Sequence, residues 1–131
     1  MIVKQSFRFE AAHRLPQHRG KCFNLHGHSY RFTLALDLRV DPATGMTADF
    51  DEIVSVVEER VLSAWDHRNM NDFFENPTAE HMVVEIWRKV AGRLRGLTEI
   101  ELWETPESSV VYRGEGEPPA GQAGSIDGGS R

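Results

Sequence analysis

Residues 26–38 read HGHSYRFTLALDL. His26, His28, Tyr30, Phe32, Leu34, Leu36 and Leu38 share one parity, and Arg31, Thr33, Asp37 and Arg39 take the other. Successive side chains of a strand point to opposite faces, so this period of two predicts a long strand with one apolar face and both histidines at its start. An earlier run repeats the pattern: Val3, Gln5, Phe7, Phe9, Ala11 and His13 alternate with Lys4, Ser6, Arg8 and Glu10. That is a half-buried strand with His13 at its far end, and residues 14–25, punctuated by Pro16 and Gly20, form the loop between the two.

Beyond the VDPATG turn the period becomes helical. Phe50, Ile53, Val54, Val57 and Val61 make an apolar stripe, with Asp49 and Glu52 in the positions of a capping box. Residues 65–77, WDHRNMNDFFENP, read as an irregular polar segment, after which Thr78 caps a helix with the stripe Met82, Val83, Ile86, Trp87, Val90 and Leu94. Strands are expected over about Thr98–Glu104 and Ser109–Arg113. The order strand, strand, helix, helix, strand, strand predicts an α+β fold, a four-stranded antiparallel sheet with two helices on one face. Residues 1–113 form the folded domain, and the Gly- and Pro-rich stretch 114–131 holds too little apolar surface to offset its ordering entropy, so it reads as a disordered tail.

Composition narrows the function. A net charge of −5 opposes general nucleic-acid binding, though it leaves room for a phosphorylated small molecule held by local cations. No apolar run is long enough to span a membrane, and MIVKQSFRFE lacks a signal-peptide pattern, so the expected location is cytoplasmic. The single cysteine, Cys22, has no partner for an internal disulfide and lies in a polar segment, HRGKCFNLHGH, which favours a reactive thiol over a buried one.

On one strand His26 and His28 point the same way, and His13 at the end of a neighbouring strand can add a third imidazole. Three neutral imidazoles suit zinc and leave an open coordination position, the pattern of a catalytic site. Cys22 as a fourth ligand would instead close it into a structural site. Asp66 beside His67 can orient a general acid or base, or remain an exposed pair. Glu104, in phase with Ile100 and Leu102, belongs at the rim of the buried face or is simply a solvated strand end.

FEAAHRL (9–15), CFNLHGHSY (22–30), DFDEI (49–53), WDHRNMND (65–72), ENPTAEHM (75–82) and WETPESS (103–109), in that order, resemble the 6-pyruvoyltetrahydropterin synthase family, in its bacterial 6-carboxy-5,6,7,8-tetrahydropterin synthase branch. The resemblance implies a T-fold, one zinc per subunit held by His13, His26 and His28, catalysis by Cys22, Asp66 and His67, and a pterin ring anchored by Glu104. It also implies 7,8-dihydroneopterin triphosphate as substrate, a lyase reaction in queuosine biosynthesis, and trimers or hexamers with sites between subunits. Trp65 departs from the pattern, since a leucine often precedes the Asp-His pair there. The short gap from thiol to histidines is that of the carboxy branch.

Overall fold

The computed structural model describes residues 1–117. Strands β1 (Ile2–His13) and β2 (His26–Asp37) form an antiparallel hairpin whose register runs from Ile2↔Asp37 to His13↔His26. The hairpin is stitched by aromatic side chains that the period of two places opposite one another. Phe7 faces Phe32 and Phe9 faces Tyr30, with ring centroids 5.3 and 4.9 Å apart. Such pairs contribute about 0.5–1.5 kcal/mol beyond their burial.

Helix α1 (Phe50–Val57) begins at Asp49, whose carboxylate accepts from the Asp51 backbone N–H at 2.9 Å. It continues through a π turn (Glu58–Leu62) into a last turn (Ser63–Trp65). The buried residues are Ile53, Val56, Val57, Val61 and Trp65, whereas Phe50, placed in the apolar stripe by its spacing, is half-exposed. Helix α2 (Ala79–Val90) is capped by the Thr78 hydroxyl, which accepts from the His81 N–H, and it buries Met82, Val83, Ile86, Trp87 and Val90 as the spacing predicts. Strands β4 (Leu97–Thr105) and β5 (Ser108–Tyr112) complete the sheet.

The sheet has five strands, not the four expected. Arg68–Asn69, here β3, pairs parallel to β1 through Ala11↔Arg68 and Ala12↔Asn69, giving the order β3-β1-β2-β4-β5. Two residues carry no alternation of their own, so only the open edge of β1 makes them a strand. Both helices cover one face, where Phe9, Tyr30, Phe32, Leu34, Ile100 and Leu102 meet Ile53, Val57, Trp65, Met82 and Ile86 in a single core. The chain stays packed past the boundary read at Arg113. Gly114, at φ +76°, lies against the Trp87 indole, and Glu117 pairs with Arg88 at 3.1 Å. The rest of the segment read as a disordered tail, 118–131, lies outside the described residues.

Gly96 ends the α2–β4 connection in the left-handed region, φ +81°, and a Cβ there would sit 2.7 Å from the Asp37 carbonyl oxygen. The Asp37 N–H donates to the Gly96 carbonyl at 2.8 Å, so neither side can retreat without breaking that bond. Gly96→Ala should lower the unfolding free energy by about 1–3 kcal/mol from backbone strain alone. Urea unfolding checks this, and an unchanged midpoint would show that the connection yields freely.

Candidate metal and catalytic site

The hairpin register decides the site. His13 and His26 are direct cross-strand partners, and His28 is opposite Ala11, two residues back on the His13 face. The three rings meet with centroids 4.5 to 5.0 Å apart, and one nitrogen from each lies within 4.8 Å of the others. His13 is fully buried, while His26 and His28 are partly exposed.

Backbone carbonyls orient two of the rings. His13 Nδ1–H donates to the Pro77 carbonyl at 2.8 Å, and His26 Nδ1–H donates to the Asn24 carbonyl at 2.7 Å. Each Nε2 is therefore a bare lone pair, yet the two lie 2.9 Å apart. His28 Nε2 is buried without any hydrogen-bond partner. Lone pairs converging at this distance repel unless a cation lies among them, and anchoring of the far nitrogen by an acceptor is how metal-binding imidazoles are held. Burial pushes the pKa of His13 and His28 below the ordinary value, Glu104 working against that shift, so both favour the neutral form that ligates metal. These three side chains fit a metal ion.

Glu104 closes the group from β4, with Oε1 3.7 Å from His28 Nε2 and Oε2 4.0 Å from His13 Nε2. Trp103 pairs with Ser109 and Thr105 with Ser108, so Glu104 is the extra residue of a bulge. Bulges re-aim side chains, and this one carries a carboxylate toward the imidazoles. Apart from His13 and His28, no basic side chain among the described residues pairs with it.

Asp66 and His67 stand on the other side of β1, at the sheet edge just before β3. Asp66 Oδ1 accepts from the Glu10 N–H at 2.9 Å and lies 3.0 Å from His67 Nδ1. The His67 N–H donates to the Glu10 carbonyl at 2.6 Å, holding the residue at φ 62° with its side chain 77% exposed. The carboxylate thus orients the ring and leaves Nε2 facing outward. His67 and His28 line one shallow depression with Gly27 and Leu25, but no hydrogen bond among the described residues joins the Asp-His pair to the three histidines.

Cys22 lies in a short 3₁₀ turn, Lys21–Phe23, partly exposed, with its carbonyl accepting from the Leu15 N–H at 2.9 Å. It is not in the potential metal-binding group. Asn71 was not singled out by the sequence, yet it ties the two loops together: its amide accepts from the Arg14 N–H at 2.8 Å and donates to the Arg14 carbonyl at 3.0 Å. Pro77 and Asn24 act through backbone carbonyls and leave no side-chain signal to read.

A five-stranded sheet backed by two helices, with histidines converging at one end of its central hairpin, defines a pterin synthase of the T-fold type, and the chain belongs to the family described as 6-pyruvoyl tetrahydropterin synthase, whose sequence model matches residues 2–115. It is 38% identical over 119 residues to a 6-carboxy-5,6,7,8-tetrahydropterin synthase from Synechocystis sp., covering 85% of this chain and 92% of that protein. It is 32% identical over 126 residues to a 6-pyruvoyl tetrahydrobiopterin synthase from Drosophila melanogaster, covering 81% of this chain and 75% of that protein. The solved 6-pyruvoyl tetrahydropterin synthase of Caenorhabditis elegans superposes with a TM-score of 0.80 at 28% identity, over 87% of this chain and 95% of that one. No helix among the described residues is long and apolar enough to cross a membrane.

Proposed function

We propose that the chain is a zinc-dependent 6-carboxy-5,6,7,8-tetrahydropterin synthase, a lyase acting on 7,8-dihydroneopterin triphosphate to give the 6-carboxy product, acetaldehyde and triphosphate, in the cytoplasm and on the route to queuosine. The observation that carries this reading is the convergence of three imidazoles, two of them anchored by backbone carbonyls, on a point faced by Glu104. Similarity to the Synechocystis protein favours the carboxy product.

His13, His26 and His28 would hold the zinc, which as a Lewis acid would make a substrate hydroxyl more acidic. Cys22, as thiolate, removes a carbon-bound proton, and His67, oriented by Asp66, returns one elsewhere on the side chain. Glu104 accepts hydrogen bonds from the N–H groups of the pterin ring. Because β1 separates Asp66 and His67 from β2, a second copy joined edge to edge can bring its own pair to this site. Trimeric or hexameric assembly would also cover the open edges at β3 and β5.

Incubation of the zinc-loaded protein with 7,8-dihydroneopterin triphosphate, followed by mass spectrometry, tests the reading. The expected products are 6-carboxytetrahydropterin and acetaldehyde. The pyruvoyl product without acetaldehyde would move the chain to the activity named for its Drosophila relative. Phosphate release with an unaltered side chain would refute both.

A further inference from the structure

Asn71 grips the backbone that runs from His13 toward the Cys22 loop. Its side-chain oxygen accepts from the Arg14 N–H at 2.8 Å, and its amide nitrogen donates to the Arg14 carbonyl at 3.0 Å. Only this orientation satisfies both groups, since a flipped amide sets donor against donor and acceptor against acceptor. The two bonds engage two different peptide units. The Arg14 N–H belongs to the peptide that begins at His13, whose imidazole is anchored to Pro77. The Arg14 carbonyl belongs to the peptide that ends at Leu15, and the N–H of that same peptide donates to the Cys22 carbonyl at 2.9 Å.

A peptide unit is planar and resists twisting. The Arg14–Leu15 plane is therefore pinned at both edges, its oxygen by Asn71 and its N–H by Cys22. The pinned carbonyl is that of Cys22 itself, attached to the same Cα as the thiol side chain. The turn Lys21–Phe23 buries none of its own residues, so core packing does not locate it. It is tied to the end of β1 by the Leu15–Cys22 bond and by the Arg14 guanidinium, 4.9 Å from the centre of the Phe23 ring. Both ties hang on the backbone that Asn71 grips. Asn71 is fixed in turn, because its own N–H donates to the Asn69 side chain at 3.0 Å. Asn69 pairs with Ala12 on β1, and it lies two residues past His67. One partly buried side chain thus joins the stretches that carry His13, Cys22 and His67.

We infer that Asn71 is a positioning residue, which sets where Cys22 stands relative to His13 and acts on the reaction through Cys22 alone. The catalytic half of this assignment rests on Cys22 as the proposed base. The clamp itself follows from the hydrogen bonds.

A double-mutant cycle on the zinc-loaded, full-length protein tests the inference. With 7,8-dihydroneopterin triphosphate, Asn71→Ala should lower the single-turnover rate by about 10–100-fold, the scale of a catalytic group displaced by about 1 Å. KM should change by less than about threefold, because no substrate contact is lost. Zinc content should stay unchanged, since the Pro77 carbonyl still anchors His13. In a Cys22→Ala chain the same change should cost less than about threefold, because no thiol remains to be placed. Asn71→Asp keeps the acceptor for the Arg14 N–H but sets a second oxygen against the Arg14 carbonyl. It should match Asn71→Ala, and it carries the test where the alanine variant does not fold. Hydrogen exchange at the Leu15 amide, followed by NMR, reads the clamp without turnover and should quicken by about tenfold or more in both variants. Unchanged Leu15 exchange, loss of zinc together with activity, or equal losses of turnover in the two backgrounds overturns the inference. If the unaltered chain converts no substrate while Leu15 exchange quickens in the variants, the clamp stands and the proposed reaction falls. If Asn71→Ala turns over at the full rate of an active unaltered chain, the reaction stands and the inference falls.

Discussion

Cys22→Ala should lower turnover by about 10²–10⁴-fold, the loss typical of a missing general base, while zinc content and melting temperature remain near those of the unaltered chain. The thiol lies partly exposed, outside the group of converging imidazoles, so its removal takes away no ligand and opens little cavity. If Cys22 were instead a fourth ligand, the same change would reduce zinc affinity and stability together. If it were only a small side chain in a turn, neither zinc nor turnover would change. Single-turnover rates, zinc stoichiometry and thermal unfolding on this one variant separate the three outcomes. Near-normal turnover would falsify the proposed mechanism. Mixing Cys22→Ala chains with His67→Ala chains adds a geometric arm to the test. Two inactive proteins should recover activity together if thiol and imidazole come from different copies, and should stay inactive if one chain supplies both.

His28→Ala should abolish activity and most of the metal while the domain remains folded. His28 Nε2 is a buried polar atom with no partner, so in the metal-free protein its removal relieves an unsatisfied group and costs little stability. With metal the balance reverses. Loss of groups that merely support ligands costs about 10–100-fold in affinity, and loss of a ligand should exceed that. Metal analysis after dialysis, with circular dichroism as the check on folding, reads both effects. Full metal content in His28→Ala would remove this residue from the ligand set, and unfolding would make the site structural.

Much of this could be read from residue spacing. Alternation placed His13, His26 and His28 on the buried side of two strands, and the aligned hairpin made His13 and His26 direct partners. The α2 stripe and its Thr78 cap appear as the period of 3.6 requires. The segment 65–77 was opaque for physical reasons. Trp65 belongs to the end of α1, but the π turn at Glu58–Leu62 adds a residue to the helix and shifts the apolar stripe that spacing alone would extend. The two-residue β3 depends on the edge of β1 and has no signature in its own residues. The partners of His13 and His26 are backbone carbonyls, which every residue possesses. Glu104 was legible by phase, but the bulge that isolates it from the ladder was not.

At position 67 the backbone and the side chain ask for different amino acids. At φ 62° a residue with a Cβ pays roughly 1–2 kcal/mol that glycine would not, so the main chain there favours glycine or asparagine. The imidazole, steered by Asp66, is what the proposed proton return requires. Library selection for heat resistance alone would therefore tend to erase the histidine and be rewarded for doing so. Engineering of this chain for robustness should keep position 67 out of the randomised set and seek its gains in the helices, where no such conflict exists.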